Sequence, residues 1–160
     1  MAGEVVDFYE ISGAYHSCNP GAVVTAVTPY SMNKRVVTVL DTDVPGGSRV
    51  GYVAMIEVVA LMIGDIVQCY SENKYENPRQ IAPNMHLKKG APKSLYRPGS
   101  STDILIFQKN RIRFAEDLLR NRCLSSPQSR FTIGFGVSLV ETDVKARSLI
   151  GKGSETFSSQ

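Results

Sequence analysis

Apolar and β-branched residues in this chain fall into short blocks separated by turn chemistry, a pattern that predicts strands. Glu4-Val5-Val6-Asp7-Phe8-Tyr9 reads as the first. Val36 to Leu40 is a second, on strong β-branched content. After a hairpin loop holding Pro45-Gly46-Gly47, Arg49 to Ile56 is expected to return as a strand. Val58 to Val67 is expected as a further strand, with Gly64 marking a bulge or a close backbone approach. Thr102 to Phe107 and Phe131 to Val140 complete the set. One helix is expected from Arg113 to Asn121, because Phe114, Leu118 and Leu119 share a face and basic residues gather toward its C-terminal end.

The connections are equally informative. Gly13 to Pro20 is turn-rich, since Asn19-Pro20 and Gly13-Ala14 break regular structure. Ser71 to Met85 is polar, carries Pro78 and Pro83, and reads as a mobile surface loop of a length that is often functional. Glu141 to Ile150 is a closing segment. These elements sum to an α+β class, mainly antiparallel β sheets with one or two short helices. A single domain is expected over residues 1–151, with a disordered polar tail at 152–160.

Composition narrows the function classes. The chain has 160 residues, enough for one domain, and is 42% hydrophobic and 21% charged. A net charge of +3, from 18 basic and 15 acidic side chains, is too small to imply nucleic acid. The scattered basic residues favour solvated surface over an anionic ligand or lipid patch, and imply at most weak, salt-sensitive affinity for anionic vesicles. Cys18, Cys69 and Cys123 are widely spaced and form no zinc motif, so reduced thiols and a cytoplasmic location are expected. The N-terminal residues lack signal-peptide character. Tyr52 to Val67 is expected to be a buried strand pair, because it carries Glu57 and Asp65 and is too short for a transmembrane segment.

The candidate chemistry lies between two of the expected strands. Lys88-Lys89-Gly90 leads through a short linker to Arg97-Pro98-Gly99-Ser100-Ser101-Thr102, where Pro98-Gly99 is a turn and Thr102 opens a strand. A serine pair at such a turn commonly caps its own backbone. Two histidines occur, His16 and His86. His86 precedes Lys88-Lys89-Gly90 by two residues and is a candidate base, although a lone loop histidine is more often exposed and idle. His16 is expected to be packed or partly buried. Asp65 is a carboxylate candidate whose simpler role is a strand-end cap. No Ser/His/Asp spacing, phosphate-binding loop or dinucleotide fingerprint supports a hydrolase or nucleotide reading.

Gly99-Ser100-Ser101-Thr102 with the strand ending at Phe107 resembles the self-processing segment of the phosphatidylserine decarboxylase family, Gly-Gly-Ser-Thr or Leu-Gly-Ser-Thr followed by an apolar strand ending in Phe. Further segments are similar to the family in the right order. They are Gly13 to Pro20, Asn33-Lys34-Arg35-Val36-Val37, Asp41-Thr42, Val58 to Ile66, Phe114 to Leu119 and Glu141-Thr142. The resemblance implies that Ser101 attacks the preceding carbonyl. The chain then splits between Ser100 and Ser101, and a self-derived pyruvoyl group remains as the electron sink of a carboxy-lyase. Gly99 and Thr102 belong to the cleavage turn. If alignment follows Gly-Ser instead, the precursor is Ser100.

The departures from the family pattern are specific. Its upstream Asp-Tyr-His-x-x-His segment, which supplies histidines for cleavage and decarboxylation, is not in this chain, which opens just past the place where that segment would end. The glutamate of its Gly-x-Glu-x-Gly is missing from Gly90-Ala91-Pro92-Lys93-Ser94, and Val59 and Asp65 replace a glycine and a serine. Two functions therefore remain open. One is a decarboxylase acting on an amino acid, phosphatidylserine or a small acid in a biosynthetic pathway. The other is an unprocessed family member that binds a ligand or partner. Expected partners are that substrate and either a second copy or a chain carrying the histidine segment, with no nucleic acid and no transmembrane segment.

Overall fold

The computed structural model of the chain describes residues 1–19, 28–98, 101–122 and 142–154. In chain order the elements are β1 (Gly3–Ile11), α1 (Pro29–Met32), β2 (Arg35–Asp41), β3 (Tyr52–Val58), β4 (Asp65–Gln68), β5 (His86–Leu87) and β6 (Ser94–Arg97). They continue with β7 (Thr102–Phe107), β8 (Ile112–Phe114), α2 (Glu116–Arg122) and β9 (Gly151–Gly153). The fold is α+β, dominated by antiparallel sheets, with two short helices among the described residues.

A five-stranded sheet runs in the order β5-β1-β2-β3-β7, with every pair antiparallel. Strands β4 and β6 pair separately, as do β8 and β9. The Val-rich β2 lies between β1 and β3, where β-branched side chains suit a pleated surface packed on both sides. Val5, Leu40, Tyr70, Ile81 and Leu87 form one buried cluster; Val36, Val59 and Ile66 form another. Phe8 touches both clusters, and Tyr96 packs against the second, so the β4–β6 ribbon covers one face of the sheet. Burying each such aliphatic side chain stabilises the fold by roughly 1.5–3 kcal/mol.

The β2–β3 connection is the expected hairpin loop, organised by buried Thr42. Its Oγ1 donates to the Gly51 carbonyl at 2.7 Å and accepts from the Val50 amide at 2.8 Å. Gly51 holds φ at 70°, and an added Cβ would meet the Gln108 side-chain oxygen, so glycine is required there. Because Arg49 and Gly51 have positive φ, the strand begins at Tyr52, not at Arg49.

Several other expectations are corrected. Val58 to Val67 is not one strand, and Tyr52 to Val67 is not a strand pair. β3 ends at Val58, a turn closes with the Ile63 amide donating to Ala60 O at 2.9 Å, and β4 belongs to the other sheet. Apolar content concealed that turn because Leu61 and Met62 at its tip are 66% and 76% exposed. Gly64 has nothing within 4 Å of an added Cβ, so it marks neither bulge nor close approach.

The helix begins at Glu116, because Ile112–Phe114 pairs with Gly151–Gly153, a partner nearly forty residues away. Phe114 instead meets Phe107 edge-to-face, with ring centroids 5.6 Å apart. Glu116 and Asp117 in the first turn and Arg120 and Arg122 in the last suit the helix dipole. The segment 71–85 is tied to the core by buried Ser71 and Ile81, with an adjoining bridge between Tyr70 and Arg79. Strand β9 carries ordered structure to Gly153, two residues beyond the expected domain limit. The strand expected at 131–140, Cys123 and the tail at 155–160 lie outside the described residues. No helix among the described residues is long and apolar enough to cross a membrane.

Candidate active site

Ser101 stands immediately before β7, whose register against β3 is fixed by six pairs, from Thr102 opposite Val58 to Phe107 opposite Val53. At this end of the sheet a cavity of ≈ 310 Å³ opens between residues 17–19, the 60–63 turn, and Ser101 with Thr102. The Ser101 Oγ is buried and has no hydrogen-bond partner among the described residues. Gly99 and Ser100 lie outside the described residues.

Asn33 anchors the loop that lines the opposite side of the cavity. Fully buried, its amide donates to His16 O and to Val59 O, each at 2.8 Å, while its Oδ1 accepts from the His16 amide at 2.9 Å. These bonds pin the 16–18 loop to the end of β3. The Cys18 thiol donates to the same Val59 carbonyl at 3.6 Å and borders the cavity. His16 acts through its backbone, and its side chain is exposed instead of packed.

A buried polar network is centred on Glu57 of β3. The Glu57 carboxylate accepts from Lys93 Nζ at 2.7 Å, Gln68 Nε2 at 3.1 Å and the Ser94 hydroxyl. Lys93 also donates to Gln68 Oε1 at 2.7 Å. Glu57 is paired across the strands with Asp103, so the two carboxylates share one sheet face. The Tyr96 hydroxyl reaches Asp103 Oδ1 at 2.6 Å and the Thr102 carbonyl at 3.1 Å. Partial desolvation is the main reason the Asp103 pKa is raised; Glu57 adds to that rise, against the Tyr96 hydrogen bond and Lys93. Burial, then the bond to Asp103, raises the Tyr96 phenol above its ordinary value, so it keeps its proton.

His86 is not brought to the serine. It sits half-buried on β5 at one edge of the five-stranded sheet, while β7 forms the other edge. His86 pairs with Glu4, in the row of Asp41 and Tyr52, whereas Thr102 pairs with Val58. Four strand spacings and six residues of rise separate the two, about 19 Å by 20 Å. The His86 ring lies instead near Gly46. Asp65 caps its own strand, its Oδ1 accepting from the Ile66 amide at 2.9 Å.

The profile of the phosphatidylserine decarboxylase family matches residues 1–126. This chain belongs to the phosphatidylserine decarboxylase family. It is 32% identical over 119 residues to a phosphatidylserine decarboxylase proenzyme of Fusobacterium nucleatum, covering 74% of this chain and 34% of that protein. A proenzyme of the same name from Chlamydia pneumoniae is 39% identical over 111 residues, 69% of this chain and 32% of the relative. One from Ruminiclostridium cellulolyticum is 31% identical over 118 residues, 74% and 34%. The chain spans about a third of the length of the curated relatives it matches. No solved structure matches it significantly.

Within this decarboxylase-family domain, the structure brings Ser101 and Thr102 to one cavity and places His86 elsewhere. Sequence reasoning did not single out Asn33, Tyr96 or Asp103 as site residues, nor Glu57 with Lys93. Asn33 had a signal, since it opens one of the family-like segments. The other four become neighbours only through the β3–β7 register and the fold-back of the β4–β6 ribbon.

Proposed function

We propose that this chain is the serine-bearing portion of a phosphatidylserine decarboxylase, a carboxy-lyase whose pyruvoyl group is made from Ser101. The observation that carries the reading is the Ser101 hydroxyl, buried, lining the cavity and without a hydrogen-bond partner among the described residues. A hydroxyl in that setting can act as a nucleophile once a base takes its proton. Family membership and the order of the matched segments support the same reading.

Self-processing needs only bonds of this chain, a base and water. Ser101 Oγ attacks the carbonyl carbon of Ser100 while its proton passes to the base. The peptide C–N bond breaks, leaving an ester and a free amine at residue 101. Loss of the Ser101 Cα proton and scission of its Cβ–Oγ bond release the Ser100 carboxylate. Water then displaces the nitrogen as ammonia, and residue 101 ends as a ketone.

The residues present suit that group. Ser101 is its precursor, and Ser17 across the cavity offers a hydroxyl as a donor. A terminal ketone supplies an electron sink for carboxylate electrons as an amine-bearing substrate loses carbon dioxide. A phospholipid with an amino-acid headgroup is the proposed substrate class, and the cytoplasm the proposed location. Neither His16 nor His86 stands in the cavity wall. The base is therefore assigned to a histidine segment from a longer form of the chain or from a partner.

The test compares full-length wild-type protein with Ser101→Ala, reading carbon dioxide release from phosphatidylserine vesicles and labelling by a carbonyl reagent. Wild type should release carbon dioxide and carry the label on its C-terminal fragment; Ser101→Ala should do neither. Release that persists in Ser101→Ala would overturn the assignment. One uncut, unlabelled species with no release would favour a non-catalytic binding role.

A further inference from the structure

We infer that Tyr96 is a positioning residue for Ser101, bracing the two strands on either side of the proposed cleavage site through the Thr102 carbonyl and the Asp103 carboxylate. This inference rests on the self-processing reading of Ser101.

Tyr96 lies in β6, the last strand before the turn, and Thr102 opens β7, the first strand after it. β6 and β7 belong to different sheets and are not paired with one another. The Tyr96 hydroxyl crosses that gap, 3.1 Å from Thr102 O and 2.6 Å from Asp103 Oδ1. Its ring is fixed from behind by the Val36, Val59 and Ile66 cluster. Thr102 O belongs to the residue following Ser101, so the bond limits how the Ser101 backbone can swing relative to the 60–63 turn. Among the described residues the Ser101 hydroxyl has no partner that would tether it.

The brace is supported from below. Asp103 shares its sheet face with Glu57, and Glu57 is held by Lys93 and Ser94, the residues that lead into Tyr96. Lys93 is thus the cation facing both carboxylates, and Tyr96 the phenol that stays protonated to donate. Cleavage between Ser100 and Ser101 would cut the covalent link between β6 and β7. The Tyr96 bonds and the β3–β7 ladder would then keep the new terminus at the cavity.

Tyr96→Phe removes the hydroxyl and keeps the ring. The test uses full-length protein, with self-cleavage followed by denaturing gel and mass spectrometry. In parallel, the Asp103 carboxyl is titrated by carbon NMR in an uncleavable Ser101→Ala background. The expected result is cleavage about tenfold slower in Tyr96→Phe, the worth of one hydrogen bond in a transition state. The Asp103 pKa should also rise further, because the lost bond is one that lowers it. Wild-type cleavage with an unaffected Tyr96→Phe rate would overturn the positioning role while leaving the Ser101 reading intact. If wild type itself does not cleave, the Ser101 reading fails and the titration decides the brace alone. An unchanged Asp103 pKa would then refute it.

Discussion

The Lys93 ammonium lies 2.7 Å from the Glu57 carboxylate, with the two side chains only 10% and 4% exposed. Removing one partner of such a pair strands a buried charge, whereas replacing both can be close to neutral. Lys93→Met should therefore lower stability by about 3–5 kcal/mol. The double variant Glu57→Gln/Lys93→Met should recover most of that loss. Urea denaturation of the three proteins checks it, and a double variant as unstable as the single one would contradict the account.

Asn33 anchors the loop that carries Cys18. Asn33→Ala loses the bonds to His16 and Val59 that pin the 16–18 loop. The expected outcome is faster alkylation of Cys18, read by peptide mapping, with Cys69 unchanged as an internal control. Equal Cys18 rates in the two proteins would show that the loop is held by something else.

Asp103 carries a pH signature whose sign follows from its raised pKa. A carboxyl with a higher pKa in the folded state binds more protons folded than unfolded. Its contribution to stability is therefore lost as pH rises from its ordinary value of 3.8 through the native value. Asp103→Asn keeps an acceptor for Tyr96 and should be at least as stable as wild type at neutral pH. That advantage should fade on acidification through the native pKa. Thermal melts across this range test the sign, and an advantage growing toward low pH would contradict it.

Thr38 is fully buried between Phe8 and Met55 on neighbouring strands, and its hydroxyl has no hydrogen-bond partner among the described residues. Thr38→Val keeps the shape and removes the unpaired group. It should raise stability by about 1 kcal/mol, measured by urea denaturation. A loss of stability would mean that the hydroxyl is satisfied in solution.

Much of the sheet was legible because Val36 to Leu40 and Thr102 to Phe107 carry local signals, β-branched content bounded by turns. The connection through Pro45-Gly46-Gly47 was legible for the same reason. What failed depended on distant partners or on burial. Ile112–Phe114 read as helix because its partner, Gly151–Gly153, is remote in sequence. Leu61 and Met62 read as strand because an apolar residue carries no sign of whether it will be buried.

The site divides along the same line. Ser101 and Thr102 form a contiguous motif, so their place at the start of a strand was legible. His86 was proposed for closeness in sequence to the turn, yet the sheet order places it on the opposite edge. Tyr96, Asp103, Glu57 and Lys93 converge only after two sheets have stacked. No spacing rule on a single strand brings them together.

The central claim is that Ser101 is the residue at which the chain is processed, and mass spectrometry tests it most directly. General base assistance is typically worth ~10²–10⁴ in rate. The 160-residue chain alone, with neither of its histidines lining the cavity, should therefore run mainly as one species of 17.5 kDa. The protein provided with the histidine segment should give two fragments, one ending at Ser100 and one beginning at a blocked residue 101. Ser101→Ala should abolish the split and Ser100→Ala should not. A single uncut species in the presence of that segment, or cleavage lost only in Ser100→Ala, would contradict the claim.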